Sequence, residues 1–428
     1  MCPSTGVHKD TQKAMRLNTV EGAFAVAAEN LAAPFLALFA LGLGATPSQI
    51  GMLTAFPNLL GNILQIPAGL FAERMEDKRI LPAVGGFLNR STWLALAFFP
   101  FLFPPEQRVA IVILLATFRI TAANLGVPAW TALQANLIPR SIRGKYYANR
   151  NVVLNTSALL ATFLANRLLR LDFPLNYQII FALASILGIT ATIVFLRIPF
   201  EQPPVKARTS NQSYRVAAKN FWSEVKEHKD FVSYSRSSLI WNFGVSLASS
   251  LFAVHFVDTM GGHPGSWAVF AATNIATQIL IQRYWGRLAD MFGQKNVMSF
   301  SGIGAVAVPL LWWVAPTLWF PIVINIVNGI GWGGYNLAAF NLLLEITPDD
   351  NRSLYVGVYN TLMGFATAAG PLVGGFAAEI FGLKPIFLAS GALRALGLYV
   401  FWRTVSSTNG KDMQVSDLIP TRIAKRSY

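Results

Sequence analysis

Two ionisable side chains lie deep inside long apolar stretches of this 428-residue sequence. Glu29 and Arg119 each stand about twelve residues from the start of a predicted helix. A charge in apolar surroundings is costly unless it is paired. The two helices are similar in length and run in opposite directions, so both charges lie at the same depth. A buried ion pair between Glu29 and Arg119 is therefore the economical interpretation.

Such a pair has two interpretations. In the functional one, Glu29 takes up and releases a proton while Arg119 loses and regains its partner, which couples protonation to conformation. In a variant of it, Arg119 binds an anionic substrate directly. In the structural one, a permanent ion pair fixes two helices. Glu21, two turns before Glu29, is either a proton relay or a charge at a helix end that reaches water. Arg90 and Arg394 have no evident partner.

A group of polar and aromatic residues recurs at helical spacing. Asn328, Trp332 and Asn336 follow at intervals of four, which places them on one helix face. Amide hydrogen bonds and ring stacking suit a polar organic ligand, although the same residue types also serve packing between helices. We expect this face, with neighbouring side chains, to line a substrate cavity. The predicted cavity residues are Asn328, Trp332, Tyr335, Asn336, Trp130, Gln134 and Asn242.

The composition shows which elements position these residues. Hydrophobic residues make up 54% of the chain and charged residues only 13%, against about 25% charged residues in soluble domains. A membrane-spanning helix needs about 20 mostly apolar residues, so this chain has material for about eleven or twelve spans. A water-soluble enzyme, a disordered chain and a disulfide-built domain are excluded. The composition predicts an all-α membrane protein.

Uncharged stretches broken at Gly and Pro divide the chain into twelve predicted transmembrane helices. They form two six-helix bundles, 18–198 and 236–404, joined by a hydrophilic linker, 199–235, and flanked by tails, 1–17 and 405–428. Part of the linker has the spacing of an amphipathic surface helix, or is a plain linker. The helices are expected near 18–43, 47–72, 80–103, 108–136, 147–170, 175–198, 236–259, 264–288, 296–315, 320–345, 355–381 and 384–404.

Positive charge is distributed unevenly between the two sides of these helices. Most of the 34 Lys and Arg residues fall in loops on one side, which the positive-inside rule assigns to the cytoplasm. Both termini are then cytoplasmic, in a multi-pass protein of a cytoplasmic (inner) membrane. The net charge of +14 follows from this topology, so no nucleic-acid partner is expected. One cysteine, four histidines and no phosphate-binding loop predict no metal, no cofactor and no enzyme activity.

The two halves of the chain repeat each other. Residues 69–78 after helix 2 correspond to residues 286–295 after helix 8. Arg143 after helix 4 corresponds to Arg352 after helix 10, and each stands four residues after a proline. Equivalent loops that carry equivalent residues indicate two parallel six-helix repeats.

Twelve helices, a basic central linker and two loops of the type G-x-L-A-D-R-x-G-R-K resemble the major facilitator superfamily over roughly residues 17–405. The second loop is the better match, because Glu73 replaces the aspartate in the first. The resemblance implies that fold, with helices 1, 4, 7 and 10 around a central cavity. The loop carboxylates would close the cytoplasmic side, or only satisfy loop charges. The predicted gate residues are Gly69, Glu73, Arg74, Gly286, Asp290, Gly293, Lys295, Arg143 and Arg352.

The resemblance implies a secondary active transporter of a small organic solute that works by alternating access. Glu29 and Arg119 favour proton coupling, so the expected partners are a small-molecule substrate, protons and the lipid bilayer. One alternative is an uncoupled or drug-type efflux carrier, and another is a non-transporting receptor or assembly factor. Residues 370–375 read G-P-x-x-G-G, which many drug antiporters carry on helix 5. Its place on helix 11 favours a kink with close packing instead.

Overall fold

The helices follow the apolar stretches of the sequence. The computed structural model describes residues 9–75, 77–137, 143–199, 225, 227–347, 352–406 and 413, and within these residues there are twelve long helices and no strand. They are α1 Lys9–Ala32, α2 Pro47–Arg74, α3 Ile80–Phe98, α4 Pro105–Leu137, α5 Arg143–Leu168, α6 Leu175–Leu196, α7 Lys229–Ser249, α8 Pro264–Phe292, α9 Gln294–Val314, α10 Phe320–Ile346, α11 Arg352–Phe381 and α12 Leu383–Thr404.

Two of these helices continue through irregular turns. After α1 comes a 3₁₀ turn, Ala33–Phe35, and a short helix, Leu36–Gly42. The turn contains Pro34, which has no N–H to continue the α-helical ladder. After α7 come a short helix, Leu251–Val254, and a π-helical turn, His255–Thr259. Both irregular segments belong to helices that the sequence predicts beside the substrate.

Several helices extend beyond the predicted spans. The first helix begins at Lys9 instead of residue 18, the seventh begins at Lys229 instead of residue 236, and the eighth ends at Phe292 instead of residue 288. The added segments carry charged residues, among them Lys9, Lys229 and Asp290. Hydropathy locates the part of a helix that can lie in hydrocarbon, but backbone hydrogen bonding continues into water. The predicted tail at 1–17 is therefore helical from Lys9 onwards.

Prolines and glycines set the helix ends. Pro47, Pro105 and Pro264 each stand at the first helical position, where the missing N–H costs nothing and the fixed φ suits a helix. Gly293 and Gly382 have φ of +82° and +81° and end α8 and α11. The left-handed conformation is accessible to glycine at little cost, and it ends one helix just before the next begins.

The chain is a multi-pass membrane protein. Among the described residues, seven segments are long and apolar enough to cross a bilayer: Asp10–Gly42, Pro105–Val127, Leu175–Leu196, Lys229–Thr259, Gln294–Val314, Tyr355–Phe381 and Leu383–Thr404. Large apolar side chains such as Leu280 and Ile380 are more than 70% exposed, which suits contact with lipid. The prediction of a twelve-helix, all-α membrane fold is confirmed.

The described chain divides into two compact units. Unit 1 comprises Met1–Ser210, Ser246–Ala272 and Thr367–Ile386, and unit 2 comprises Asn211–Val245, Thr273–Ala366 and Phe387–Tyr428, each as far as described. Unit 1 thus includes the end of α7, the start of α8 and the end of α11. The predicted bundle boundaries at 18–198 and 236–404 stay predictions. Residues 200–224 of the linker lie outside the described part of the chain.

Each unit has its own packing. In unit 1, α4 packs against α2 and α3, while α1 packs against α5 and α6, and α3 also packs against α6. In unit 2, α9 packs closely against α10. Gly304 and Gly331 lie in that contact, where a side chain on Gly331 would come within 2.8 Å of the Ala305 nitrogen. Small residues at such crossings let helix backbones approach each other.

Candidate functional site

Glu29 of α1 and Arg119 of α4 form a bidentate ion pair. The Arg119 guanidinium donates from Nη1 to Glu29 Oε2 at 2.9 Å and from Nη2 to Oε1 at 3.1 Å. The two sides of the pair differ in access, because the Arg119 side chain is 4% exposed and that of Glu29 is 46% exposed. The structure therefore brings together the two residues that the sequence predicts as partners. Only the carboxylate of the pair is open to its surroundings.

The environment of Arg119 comes mainly from α3. Its guanidinium carbon lies 4.2 Å from the centre of the Trp93 ring, over the ring face. Asn89 Nδ2 donates to the Arg119 backbone carbonyl at 3.0 Å, which ties α4 to α3 at this point. Arg119 Nε is buried and has no hydrogen-bond partner in the described residues. Neither contact is visible in the sequence, where Trp93 is one aromatic residue among many.

Glu21 has a partner of its own. Arg90 of α3 donates from Nη2 to Glu21 Oε1 at 2.9 Å and from Nη1 to the Thr192 hydroxyl of α6 at 2.6 Å. The Arg90 and Glu21 side chains are 16% and 7% exposed. The interpretation of Glu21 as a charge that reaches water is wrong, because its side chain is buried against Arg90 in the middle of α1. The pair joins α1, α3 and α6 and gives Arg90 the partner that sequence reasoning missed.

Two of the predicted cavity residues on α4 lie in packed surroundings. Gln134 is 5% exposed and exchanges two hydrogen bonds with Asn18 of α1, at 3.0 and 2.7 Å. Asn18 Nδ2 also donates to the Tyr146 hydroxyl of α5 at 2.8 Å, and Trp130 packs against the neighbouring apolar cluster. Gln134 therefore binds α1 and does not line an open cavity. Its amide is satisfied within unit 1.

The predicted cavity residues of unit 2 divide into buried and exposed members. Tyr335 is 6% exposed, because its ring stacks on Trp241 at 4.7 Å and 12°. Trp332 meets the Tyr335 ring edge-on at 5.5 Å and is partly buried. Asn336 is exposed and Asn328 is partly exposed. Tyr335 thus packs in the core of unit 2, while Trp332, Asn328 and Asn336 keep accessible surface, and the place of these four residues in a substrate cavity stays a prediction.

Asn242 of α7 also has its donors engaged. Its Nδ2 donates to the Ser238 carbonyl at 2.8 Å and contacts Met363 Sδ at 3.1 Å. The side chain is partly exposed, and its amide oxygen can accept a hydrogen bond. Its place in a substrate site stays a prediction.

Arg394 of α12 is a buried cation that binds backbone carbonyls. Nη1 donates to the Ala305 carbonyl of α9 at 2.7 Å and Nη2 donates to the Val245 carbonyl of α7 at 3.3 Å. The residue is 2% exposed, and no salt bridge to it occurs among the described residues. These hydrogen bonds link α12 to α7 and α9 in unit 2. Sequence reasoning could not find these partners, since every residue has a carbonyl.

The predicted gate loops are described only in part. Gly293 has the positive φ expected of a turn between α8 and α9, Asp290 is exposed and Lys295 is partly exposed near the start of α9. Gly286 has open space where a side chain would stand. The side chains of Glu73, Arg74, Arg143 and Arg352, and the surroundings of Gly69, lie outside the described residues. Pairing between the arginines and the carboxylates of these loops stays a prediction.

Residues 370–375 of α11 make the close packing that the sequence predicts. Gly374 approaches the Leu247 carbonyl of α7, and Gly51 of α2 approaches the Pro371 carbonyl. A side chain on Gly375 would come within 2.7 Å of the Pro47 carbonyl. One turn later, Glu379 Oε1 accepts the Ser48 backbone N–H at the start of α2, at 3.1 Å. These contacts hold the end of α11 within unit 1.

A cavity of about 430 Å³ lies between α1, α5 and α6 in unit 1. Thr19 and Ser157 supply its polar side chains, and its other walls are apolar, including Phe24, Ala27, Leu31, Leu160, Leu164 and Leu187. Helical periodicity places Glu29 on the opposite side of α1 from Ala27 and Leu31. One helix therefore presents an apolar cavity on one face and the half-exposed ion pair on the other. The sequence did not reveal this cavity, because its lining residues are of the same apolar types as residues that face lipid.

Metal binding finds no candidate in the described part of the chain. No three His, Cys, Asp or Glu residues lie close enough there to hold an ion. The two ion pairs of α1 and the accessible amides of α7 and α10 are among the described polar groups that could contact a ligand.

Comparison with known proteins places this geometry in a family. The chain is 22% identical over 365 residues to the quinolone resistance protein NorA of Staphylococcus aureus (strain COL), covering 84% of this chain and 89% of that protein. It is 28% identical over 148 residues to the multi-drug resistance efflux pump PmrA of Streptococcus pneumoniae serotype 4, covering 32% of this chain and 35% of that protein.

Solved structures share the fold. The D-xylose-proton symporter has a TM-score of 0.66 at 14% identity, covering 94% of this chain and 99% of that one. A POT family transporter in complex with 5-aminolevulinic acid has a TM-score of 0.72 at 11% identity, covering 91% and 95%. The sequence model of the Major Facilitator Superfamily matches residues 22–281 and 265–426. The chain is a membrane transporter that belongs to the major facilitator superfamily.

Proposed function

We propose that this transporter is a proton-coupled secondary carrier of an amphipathic organic solute. The observation that carries the proposal is the unequal access of one ion pair, in which Arg119 is 4% exposed and Glu29 is 46% exposed. An ionisable residue within a membrane helix is a functional candidate by default. Here the partner that can accept a proton is also the one that a proton can reach.

Proton uptake by Glu29 would change how α1 is held. The two hydrogen bonds that join α1 to α4 are charge-assisted, and so at full strength, while Glu29 is ionised. Neutralising the carboxylate removes the Coulombic attraction in a medium where it is strong. The 3₁₀ turn at Ala33–Phe35 follows one turn later in the same helix, and such turns are frequent at hinges. Protonation would therefore release α1 from α4 next to a natural bending point.

The same helix forms one wall of the apolar cavity. Because Phe24, Ala27 and Leu31 of α1 line that cavity, a movement of α1 changes its shape. Proton binding on one face of α1 and solute binding on the other would then affect each other through one rigid element. Such reciprocity is what coupled binding requires. The cavity favours a solute with a substantial apolar body, and the relatives described as resistance and efflux proteins agree with this class.

A second candidate is uncoupled or drug-type efflux. The apolar walls of the cavity and the names of the relatives favour it. The two candidates differ in what happens under a pH gradient, since an uncoupled carrier only equilibrates its solute. We further propose that both termini are cytoplasmic, which the distribution of Lys and Arg supports, and that Asp290, Glu73 and their arginine partners close that side. The resemblance of the two loops supports that gate.

Flux measurements in proteoliposomes test the proposal. The purified protein would be offered ethidium, a fluoroquinolone, a nucleoside and a pentose under an imposed pH gradient. We expect at least one amphipathic compound to accumulate, and Glu29→Gln to equilibrate it without accumulation. Equal accumulation by the parent protein and Glu29→Gln would reject the coupling role. Equilibration of the compound by the parent protein itself would favour the uncoupled carrier, and no movement of ethidium or the fluoroquinolone would count against an amphipathic solute of this kind.

Residue-level controls separate coupling from folding. Glu29→Asp keeps a carboxylate on a shorter side chain, and we expect it to retain part of the coupled flux. Glu21→Gln removes the other carboxylate of α1 that has an arginine partner. Because that carboxylate is buried against Arg90, we expect its loss to reduce the yield of folded protein and to leave the coupling of the folded fraction intact.

A further inference from the structure

Among the described residues the Arg119 guanidinium contacts Glu29 and Trp93, and only Glu29 can be neutralised by a proton. Glu29 binds the guanidinium through two hydrogen bonds, while the guanidinium carbon lies over the Trp93 ring, 4.2 Å from the ring centre. We propose that Trp93 is a positioning residue for coupling, whose ring holds the Arg119 guanidinium in place while Glu29 is protonated. The inference rests on the coupling role of Glu29 proposed above.

A buried guanidinium needs a partner in every state of the cycle. Arg119 is 4% exposed, and its Nε makes no hydrogen bond to the described residues. When Glu29 becomes neutral, both charge-assisted hydrogen bonds weaken and the cation is left in low-dielectric surroundings. Removing one member of a buried pair is strongly unfavourable for this reason. Without a second partner, the cost would oppose proton uptake itself.

Trp93 is suited to be that partner because its ring is buried and packed against a second ring. The side chain is 1% exposed and stacks on Phe181 of α6 at 5.2 Å and 26°. Phe181 in turn meets Phe39 edge-on at 5.1 Å. A Trp face is the strongest aromatic partner for a cation, and desolvation increases the interaction. The interaction with the ring is also independent of pH, unlike that with Glu29.

The other charged and titratable groups near the two helices lie on several elements. On α1 and α3, Glu21 and Arg90 bind each other. Elements packed against α1 and α4 carry Arg150 and Arg167 on α5, Tyr177 on α6, and Glu73 and Arg74 on α2, the last two with side chains outside the described residues. Among the described ion pairs, Arg119 has Glu29 as its acidic partner. Of the contacts that the described residues make with the Arg119 guanidinium, the one with the Trp93 ring is left unchanged by protonation.

The charge state of Glu29 determines in which direction loss of the Trp93 ring moves the midpoint of Glu29 protonation. While Glu29 is ionised, the pair is nearly neutral and the ring gains little from it. Once Glu29 is protonated, Arg119 is an isolated cation and the ring stabilises it more. Loss of the ring therefore penalises the protonated state, so protonation requires a lower pH. A desolvated cation–π contact is worth enough to move the midpoint by about one pH unit, which corresponds to about 1.4 kcal/mol.

Infrared difference spectra of the protein in lipid, recorded while the pH is stepped, measure this midpoint without any substrate. The carboxylic acid C=O band that Glu29→Gln removes reports the protonation of Glu29. We expect Trp93→Leu to move the midpoint of that band down by about one pH unit and Trp93→Phe to move it by less. Phe181→Leu removes the adjacent ring but keeps the one beside Arg119, so its midpoint should match that of the parent protein.

Equal midpoints for Trp93→Leu and the parent protein would overturn the inference, and so would an equal shift in Phe181→Leu, which would indicate a general loss of packing. If Trp93→Leu does not fold, the midpoint of Trp93→Phe decides. If Glu29→Gln removes no band, Glu29 does not titrate, and both the coupling proposal and this inference fail. If Glu29→Gln removes the band but Trp93→Leu leaves its midpoint at the parent value, only the role of Trp93 is rejected.

Discussion

Glu21 and Arg90 form an ion pair of 2.9 Å in which neither side chain is more than 16% exposed. Eight residues further along the same helix, Glu29 and Arg119 form a pair of the same length in which the carboxylate is 46% exposed. Two acidic residues of one helix therefore have opposite access to their surroundings. The first pair has the character of an anchor between α1, α3 and α6, and the second that of a site where a proton can enter.

Loss of the anchor should affect stability and leave coupling intact. Glu21→Gln leaves the Arg90 guanidinium buried without a counterion, which typically costs about 3 kcal/mol or more. We expect a lower unfolding temperature in detergent and a lower yield. The folded fraction should still accumulate solute under a pH gradient. Normal stability together with lost accumulation would instead assign Glu21 to the proton path.

Glycine packing between α11 and α2 gives a second prediction. Alanine at Gly375 would bring its Cβ within 2.7 Å of the Pro47 carbonyl, so one backbone must shift. We expect Gly375→Ala to destabilise the protein by about 1–3 kcal/mol, as overpacking does. Gly357 on the same helix is the matched control, because nothing lies within 4 Å of a Cβ there. Gly357→Ala should be neutral or slightly stabilising, since alanine favours helix.

Thermal unfolding of the two glycine variants side by side provides the measurement. Two variants with the same unfolding temperature would show that the end of α11 does not depend on this close approach. A stable Gly375→Ala protein with slower transport would show that the packing matters for movement more than for folding.

The buried hydroxyl of Tyr146 gives a third prediction. It accepts from Asn18 at 2.8 Å and donates to the Met15 carbonyl at 3.1 Å. Tyr146→Phe leaves the Asn18 donor short of an acceptor, which should cost about 1–3 kcal/mol. Tyr177 supplies the control, because its buried hydroxyl has no hydrogen-bond partner among the described residues. Chemical denaturation should show a loss for Tyr146→Phe and none for Tyr177→Phe, and equal losses would contradict a hydrogen-bonding role.

Arg394 gives a fourth prediction, in which replacement by methionine destabilises the protein less than replacement by lysine. The guanidinium spans two carbonyls, of Ala305 and Val245, and a lysine ammonium cannot reproduce that fork. A buried charge can often be replaced by an apolar residue of similar size without loss. Thermal unfolding should therefore show Arg394→Lys below the parent protein and Arg394→Met at or above it. A deeper loss in Arg394→Met than in Arg394→Lys would show that the positive charge itself is required.

Much of the fold could be predicted because a helix that crosses the hydrocarbon core of a bilayer needs about 20 mostly apolar residues. Apolar stretches, prolines at helix starts and glycines at helix ends located the twelve helices. The helix ends were less predictable, since hydropathy measures where lipid begins and α1 continues to Lys9 beyond it. That one difference misled the interpretation of Glu21, which lies in the middle of a helix and not at its end.

In the candidate site, a contact could be predicted only where the depth of two residues in the membrane is enough to identify them as partners. Glu29 and Arg119 share a depth and each needs a partner, so the pair could be inferred. Which way a helix faces depends on the packing of a whole unit, and sequence does not show it. Gln134 and Tyr335 turn out to face their neighbours for that reason. Arg394 binds carbonyls, which no sequence pattern marks, and Trp93 is distinguished from other aromatic residues only by its position under Arg119.

The most direct test of the role of Glu29 measures protons while a solute gradient drives transport. Proteoliposomes with a pH-sensitive dye inside would receive a gradient of a compound that the parent protein accumulates. Proton movement coupled through Glu29 predicts an internal pH change with the parent protein. Glu29→Gln should move the compound without that change. An equal pH change with Glu29→Gln would contradict the coupling role and leave the Glu29–Arg119 pair as a structural contact between α1 and α4.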